Sequence, residues 1–251
     1  MSGTLPWKTA WVTGASTGIG RDIVLQLAAA GVKVAASARS PEKLAALGPG
    51  IVSIPLDVTD PDACRAAADR VESELGPIDL VVFGAGTYSP VAIDSIDPKL
   101  FSHTMTTNYM GVVNCLAAVA PRMLARGQGQ ISWIASVAGF MGLPKAAAYG
   151  PTKAALINLA ECLEPEMRLK GVRISVINPG FVATPLTAQN DFEMPFLMQP
   201  DEAARRTIKG LAEGRFEIAY PRRFVAILRA MRALPYPLFF RLITRFVLKD
   251  K

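Results

Sequence analysis

Tyr149 and Lys153 stand four residues apart in AYGPTKAALINLAECL, so a helix there would carry both on one face. A lysine ammonium beside a phenol stabilises the phenolate and lowers a pKa that is otherwise about 10, giving a proton donor usable at neutral pH. By itself Y-x-x-x-K arises by chance in many helices. Its position gives it weight, because Ser136 lies 13 residues upstream of Tyr149, at the end of the β-rich run QISWIAS. That puts a hydroxyl on the same edge of the sheet as the phenol and the ammonium.

The run TGASTGIG at residues 13–20 admits two chemistries. GASTG satisfies the G-x-S-x-G pattern of a hydrolase elbow with Ser16 as nucleophile, while Gly14, Gly18 and Gly20 make a glycine-rich loop. In the loop reading, Gly14 and Gly18 let backbone N–H groups approach a pyrophosphate, and Gly20 lets the following helix pack close to the strand. A triad would need His103, the sole histidine, with Asp57, Asp79 or Asp94 as third member. His103 sits in the apolar helical pattern KLFSHTMTTNYMGVV, where a lone histidine is more often a surface or packing residue than a base. The phosphate cradle is therefore the stronger reading. The next strand ends in AASARS, with Ser37 and Arg39 and no acidic residue where a ribose 2′-hydroxyl would need one. That end predicts NADP(H) over NAD(H), with Arg39 on the 2′-phosphate and Ser37 as its helper. The bland alternative is a solvated loop arginine.

The elements that must position these groups alternate. After KTAWV come the β-rich runs VKVAASA, IVSIPL, LVVFG, QISWIA, VRISVI and FEIAY, separated by helical patterns. Ile19, Ile23, Leu27 and Ala30 recur at steps of three and four and stop at Gly31, and ACRAAADRVESELG stops likewise at Gly76. Several strands are apolar on both alternating positions, as in a parallel sheet covered on both faces. The order predicts an α/β doubly wound Rossmann fold, a single domain over residues 1–220 with a helical extension over 221–251. The chemistry-bearing residues fall in the loops that follow strands, where such sheets bind ligands.

At this point the sequence resembles the short-chain dehydrogenase/reductase family. T-G-x-x-x-G-I-G at 13–20, Asp57 in LDVTD, GAG at 84–86, Asn108 in TNYMGVVN, Ser136, Tyr149, Lys153 and NPGFVAT at 178–184 occur in family order. The resemblance implies Tyr149 as general acid or base, Lys153 on the nicotinamide ribose, Ser136 on the substrate carbonyl and Asn108 placing a water on a proton relay. It further implies cofactor contacts from Ser16, Thr17 and Ile19 in the first loop, Asp57 and Val58 at the adenine, and Gly84, Ala85 and Gly86. Pro179, Gly180, Val182 and Thr184 complete the set near the nicotinamide. Three positions depart from the pattern. Phe83 and Gly84 replace the two asparagines of the Asn-Asn-Ala-Gly found in many members, and Thr17 stands where many NADP-dependent members carry a basic residue. The implied activity is hydride transfer between NADP(H) and a carbonyl or alcohol. A non-catalytic NADP-binding, membrane-peripheral protein would need a defect in Ser136, Tyr149 or Lys153, and the sequence shows none.

Composition excludes other classes. Half of the chain is hydrophobic (51%) and 19% is charged, enough for a sizeable core and too apolar for disorder. Three scattered cysteines make no disulfide framework or C-x-x-C, and one histidine makes a metal site improbable. The net charge of +6 is confined to the end: residues 1–220 carry 19 basic and 20 acidic groups, residues 221–251 carry 8 and 1. A near-neutral body argues against nucleic acid as a partner. Without a signal-like start or a long apolar run, the expected location is cytoplasmic, peripheral to the inner face of a membrane if the tail binds one. The family resemblance implies a homodimer or homotetramer.

Two segments bear on the substrate. FVATPLTAQNDFEMPFLMQP supplies Phe192, Met194, Pro195, Phe196, Leu197 and Met198 as an apolar lid over Phe140, Met141 and Leu143, which suggests a bulky hydrophobic ketone, aldehyde or alcohol: lipid-like, steroid-like or aromatic. Equally, these residues can simply pack the lid onto the body. In the tail, Phe224, Ile227, Leu228 and Met231 share one helical face, with Pro235 and Pro237 as breakers. A second helix then sets Arg241, Arg245 and Lys249 opposite Phe239, Leu242, Ile243 and Phe246. An apolar face with a cationic face fits a helix lying on an anionic membrane, or one packing onto the body or a second subunit.

Overall fold

The computed structural model describes residues 4–248; Lys249 and the side chain of Phe246 fall outside what is described. Strands β1 (Thr9–Thr13), β2 (Lys33–Ala38), β3 (Ile51–Pro55), β4 (Leu80–Phe83), β5 (Gly129–Ile134), β6 (Val172–Pro179) and β7 (Glu217–Tyr220) form one sheet in the order β3-β2-β1-β4-β5-β6-β7. Every pairing is parallel. The helices are α1 (Gly18–Ala29), α2 (Pro41–Ala45), α3 (Pro61–Leu75), α4 (Pro98–Met105), α5 (Gly111–Arg126), α6 (Gly150–Leu169), α7 (Pro200–Ala212), α8 (Arg222–Arg232) and α9 (Tyr236–Ile243). All seven β-rich runs of the sequence are strands. The doubly wound expectation holds.

Local chemistry sets the boundaries. The Asp60 carboxylate accepts from the N–H groups of Asp62 and Ala63 and Pro61 opens α3, while Gly76 at φ +91° closes it. Because β1, β4 and most of β5 are buried on both sides, each face needs a helical cover. Trp11, Phe83 and Trp133 pack under α3, α5 and α6 on one face, and Ile23, Leu27 and Ile208 pack from α1 and α7 on the other. Cys64 and Cys115, distant in sequence, meet in the first of these layers with sulfurs 3.7 Å apart.

A third apolar layer comes from the tail. Phe224, Val225 and Leu228 of α8, with Phe239 and Ile243 of α9, bury themselves against Val137 and Met141. Fully burying such side chains contributes roughly 1.5–3 kcal/mol each, more than helix propensity gives a short segment. The edge of the sheet adds a polar tie: Glu217 accepts from Asn178 Nδ2 at 3.0 Å and pairs with Arg229. Two details of the tail differ from expectation. Of the apolar face read for α8, Ile227 is 47% exposed while Val225, not part of that reading, is buried, because the body is met by the flank that carries 224, 225 and 228. Pro237 starts a helix instead of breaking one, since the first turn of α9 has N–H groups with no intrahelical acceptor and loses nothing to a proline.

Candidate active site

The sheet switches direction of growth between β1 and β4, and the loops after these strands meet there backbone to backbone. A Cβ on Gly14 would lie 2.4 Å from the Gly84 carbonyl carbon, and Gly14 itself takes φ +67°. A Cβ on Gly20 would lie 2.4 Å from the Gly14 oxygen, and one on Gly18 2.8 Å from Thr184 Cγ2. The absent side chains of Gly14 and Gly18 thus make room for the protein's own atoms, and Gly18 is the first residue of α1, whose start is where a phosphate would bind. Thr17 occupies its N-cap with no side-chain hydrogen bond to the first turn, and that turn carries no acid. Its N–H donors and the positive end of the helix dipole are available to an anion, so the residues present fit a dinucleotide phosphate. Ser16, Thr17 and Ile19 are half-buried along this rim.

Phe83 explains how the chain dispenses with the family's asparagine. Its ring is buried edge-on to Trp11, centroids 6.1 Å apart, and the Gly84 N–H is held by Thr13 through both its main-chain oxygen and Oγ1. Apolar packing and a threonine replace the amide.

Beyond β2 and β3, Arg39 and Asp57 both reach solvent on neighbouring loops. Hydrogen bonds from the Thr59 N–H and hydroxyl lower the Asp57 pKa, with Arg39 and His103 adding favourable charge. Ser37 does not join them. Its side chain is completely buried and Oγ accepts from Trp11 Nε1 at 2.9 Å, because alternation along β2 turns it to the face that carries Ala35. The expected role as helper to Arg39 is corrected accordingly. The Val58 side chain is likewise buried against Gly111, and its carbonyl accepts from Asn114 Nδ2.

Ser136, Tyr149 and Lys153 converge. Ser136 caps a short 3-10 turn, Val137–Gly139, accepting from the Ala138 N–H at 3.1 Å and donating to the Pro179 carbonyl at 3.4 Å. Gly139 lets that turn lie on α6; a Cβ there would sit 2.7 Å from the Lys153 carbonyl carbon. Tyr149 is the N-cap of α6, and Lys153 Nζ lies 5.4 Å from its ring centroid while donating to the Ile134 carbonyl at 2.7 Å. Burial pushes the Tyr149 phenol up to about 12, against the opposing effect of the Ser136 hydroxyl, and pulls the Lys153 ammonium down to about 7. The expectation that lysine lowers the phenol's pKa is reversed in the protein alone: desolvation outweighs the pair.

Asn108 sits in a π-helical turn, Thr106–Met110, between α4 and α5. Its Oδ1 accepts from the Thr87 N–H at 2.7 Å, and its Nδ2 donates to the Thr87 carbonyl at 2.9 Å and to Thr152 Oγ1 at 3.1 Å. The amide therefore fixes the loop after β4 to α6. Gly86 forms the floor between them, since a Cβ there would be 3.2 Å from Asn108 Oδ1 and 3.8 Å from Lys153 Nζ.

Past β6, Pro179 is buried and the Gly180 N–H donates to the Tyr220 carbonyl at 2.7 Å. Val182 pairs with Met198 to close the base of the lid, and Thr184 shares hydrogen bonds with Thr187. Sequence reading missed Tyr88. Its ring stands edge-on to Tyr149, centroids 5.2 Å apart, and its hydroxyl donates to Asn190 Oδ1 of the lid at 3.0 Å. Lys145 adds an ion pair to Asp191. The lid is only partly the apolar roof expected of it: Met198 is buried and Met194 half-buried, but Phe192, Phe196 and Leu197 are exposed.

Ser16 has no hydrogen-bond partner among the described residues, and His103 is exposed on α4, so nothing assembles a hydrolase triad.

A parallel sheet with a free helix start at its switch point and a half-buried Ser and Tyr beside a buried Lys defines a nucleotide-dependent oxidoreductase of the Rossmann type. The family model for short chain dehydrogenases matches residues 8–194, and the chain belongs to that family. It is 38% identical over 242 residues to an uncharacterised oxidoreductase of Myxococcus xanthus, covering 94% of this chain and 96% of the relative. It is 35% identical over 188 residues to a 3-oxoacyl-[acyl-carrier-protein] reductase of Staphylococcus aureus, covering 72% of this chain and 76% of that one. A crystal structure of a short chain dehydrogenase from Burkholderia cenocepacia in complex with NADP superposes with a TM-score of 0.82 at 27% identity, over 94% of this chain and 97% of that one.

Proposed function

We propose that this oxidoreductase is NADP(H)-dependent and interconverts a carbonyl and an alcohol on a bulky hydrophobic substrate. The observation that carries the cofactor preference is the end of β2, where Arg39 reaches solvent and no acid stands in the strand end AASARS to take a ribose 2′-hydroxyl. The bound NADP of the Burkholderia relative supports it. When bound, the nicotinamide supplies or accepts the hydride.

The chain's own residues handle the proton. The Ser136 hydroxyl fixes the substrate oxygen and Tyr149 gives it a proton, or takes one in the reverse direction. Lys153, held by Ile134, faces the Tyr149 ring and the ribose side of the crevice, so its charge state is coupled to that proton. Asn108 keeps the loop at Thr87 in place. Beside the Val137–Gly139 turn, Phe140, Met141, Leu143 and Phe181 pack with the tail into an apolar layer, and apolar surface close to Ser136 favours a hydrophobic substrate.

Titration with NADPH and NADH tests the cofactor reading. Wild type should favour NADPH, and Arg39→Ala should erase the difference, a loss of roughly 10- to 100-fold for a charge-assisted contact. Equal affinity for both nucleotides in the wild type would refute the preference. For the substrate, a panel in which small sugars or hydroxy acids outpaced long-chain or polycyclic ketones would overturn the hydrophobic reading.

A further inference from the structure

From the lid and tail we infer a docking surface for an anionic lipid bilayer. Large apolar side chains normally scatter singly over a surface, but here they cluster. Phe192, Phe196 and Leu197 of the lid and Ile227, Leu238 and Phe240 of the tail are all more than 40% exposed. The two groups are physically joined. Phe181 and Phe224 lie 5.6 Å apart, Phe192 packs on Phe181 at 5.8 Å, and Phe196 packs on Phe224 at 5.8 Å. Phe196 holds that place at φ +57°, a left-handed conformation that costs a bulky residue about 1–3 kcal/mol. On α9, Tyr236 stacks on Phe240 at 5.7 Å with both rings exposed.

Charge selects the occupant. Residues 218–248 contain six arginines and no aspartate or glutamate, and all six are exposed. Arg229 is engaged with Glu217 and lies over the Phe140 ring, whereas Arg222, Arg223, Arg232 and Arg241 are exposed on the same two helices that carry Ile227, Leu238 and Phe240. A two-fold interface that set α8 and α9 against their own copies would bring arginines together with no acid on either helix; the acids of the patch are in the lid, Asp191 paired with Lys145 and Glu193 exposed beside Phe192. A bilayer with anionic headgroups meets both requirements at once, since arginines reach phosphates while aromatic rings enter the interfacial layer. No helix among the described residues is long and apolar enough to cross a membrane, which is consistent with lying on one. The lid borders this surface, so a lipophilic substrate held in the bilayer would enter beside Phe196. That last step rests on the hydrophobic-substrate reading; the docking does not.

Cosedimentation of the full chain tests it, using vesicles of phosphatidylcholine alone and vesicles containing phosphatidylglycerol, at low and high salt. We expect binding to the anionic vesicles only, weakening with salt. The triple substitution Arg223→Glu, Arg232→Glu and Arg241→Glu should lower partitioning by at least roughly 100-fold, at about one kcal/mol lost per arginine near the surface. Phe240→Ser should weaken binding without changing its salt dependence. NADPH affinity, which these exposed positions do not touch, reports folding of each variant. Absence of binding to anionic vesicles by protein that binds NADPH would overturn the proposal, as would unchanged binding by the triple variant. Assembly into larger particles that Phe240→Ser dissolves, with no vesicle binding, would assign the patch to a second copy instead. A protein that docks but binds no nucleotide would leave the surface standing and refute the proposed function.

Discussion

Replacing Lys153 with methionine should make the protein more stable and inactive. Lys153 is 4% exposed, hydrogen-bonds only the Ile134 carbonyl, and has its pKa lowered from 10.5 to about 7 by burial. A lysine whose folded pKa lies below its unfolded value destabilises the fold when protonated. The penalty is fully present below pH 7, relieved as pH rises, and gone above about 10.5. At about 1.4 kcal/mol per unit, the whole shift amounts to about 5 kcal/mol, of which about 4 still applies at pH 7 and about 2 at pH 9. Lys153→Met removes this term and leaves the Ile134 carbonyl unsatisfied, at roughly 1–3 kcal/mol. The balance is a gain of about 1–3 kcal/mol at pH 7, shrinking towards zero by pH 9. Urea unfolding of wild type and variant at both values, without nucleotide and at one protein concentration, measures it as a difference that cancels other titrating groups. If the variant kept the wild-type rise in stability between pH 7 and pH 9, the rise would belong to other groups and the reasoning would be refuted. Turnover should be lost in the same protein, a site kept at the expense of stability.

Tyr149→Phe should reduce turnover by on the order of 10²–10⁴ while nucleotide affinity stays within a few fold, as read by steady-state rates and fluorescence titration. Ser37→Ala should leave the NADPH-to-NADH affinity ratio unchanged yet cost roughly 1–3 kcal/mol in thermal or urea unfolding, because the buried Trp11 indole N–H loses its acceptor. Tyr88→Phe keeps the ring against Tyr149 and releases Asn190 of the lid. KM should rise by roughly 2- to 12-fold with kcat little changed, and an equal fall in kcat would place Tyr88 in the chemistry instead.

Strands and the Ser136, Tyr149 and Lys153 cluster were legible in the sequence for the same reason: their information is local. Short double-faced apolar runs rich in β-branched residues and bounded by turn residues fit covered strands, and a tyrosine and lysine four apart share a face once their segment is helical. Ser37 shows a signal present but unread. Its even spacing from Ala35 puts it on the face that holds Trp11, and Arg39, of the same parity, avoids that face only because β2 ends at Ala38. The glycines were recognised, and the close packing read for Gly20 is present, but the approach of Gly84 to Gly14 was not legible because the two are 70 positions apart. Tyr88 carried no signal at all: its partners are Tyr149 and Asn190, which no periodicity links to the loop after β4. The tail's amphipathic pattern showed two helices but not which flank meets the body, since Ile227 and Val225 are equally apolar.

The π-helical turn at Thr106–Met110 makes α4, the turn and α5 one rod with two phases. A π-turn holds one residue more than an α-turn, so the stripe that faces inward before it is offset by about 100° from the one after it. Deleting any one residue between 106 and 110 would restore an ordinary helix and swing α4 by that angle about its own axis. Thr104, now buried, would turn outward, and Asn108 would lose its aim at Thr87. In this stretch the chain is read like a reading frame: substitutions are local events, whereas a single-residue deletion rewrites everything on one side of the site.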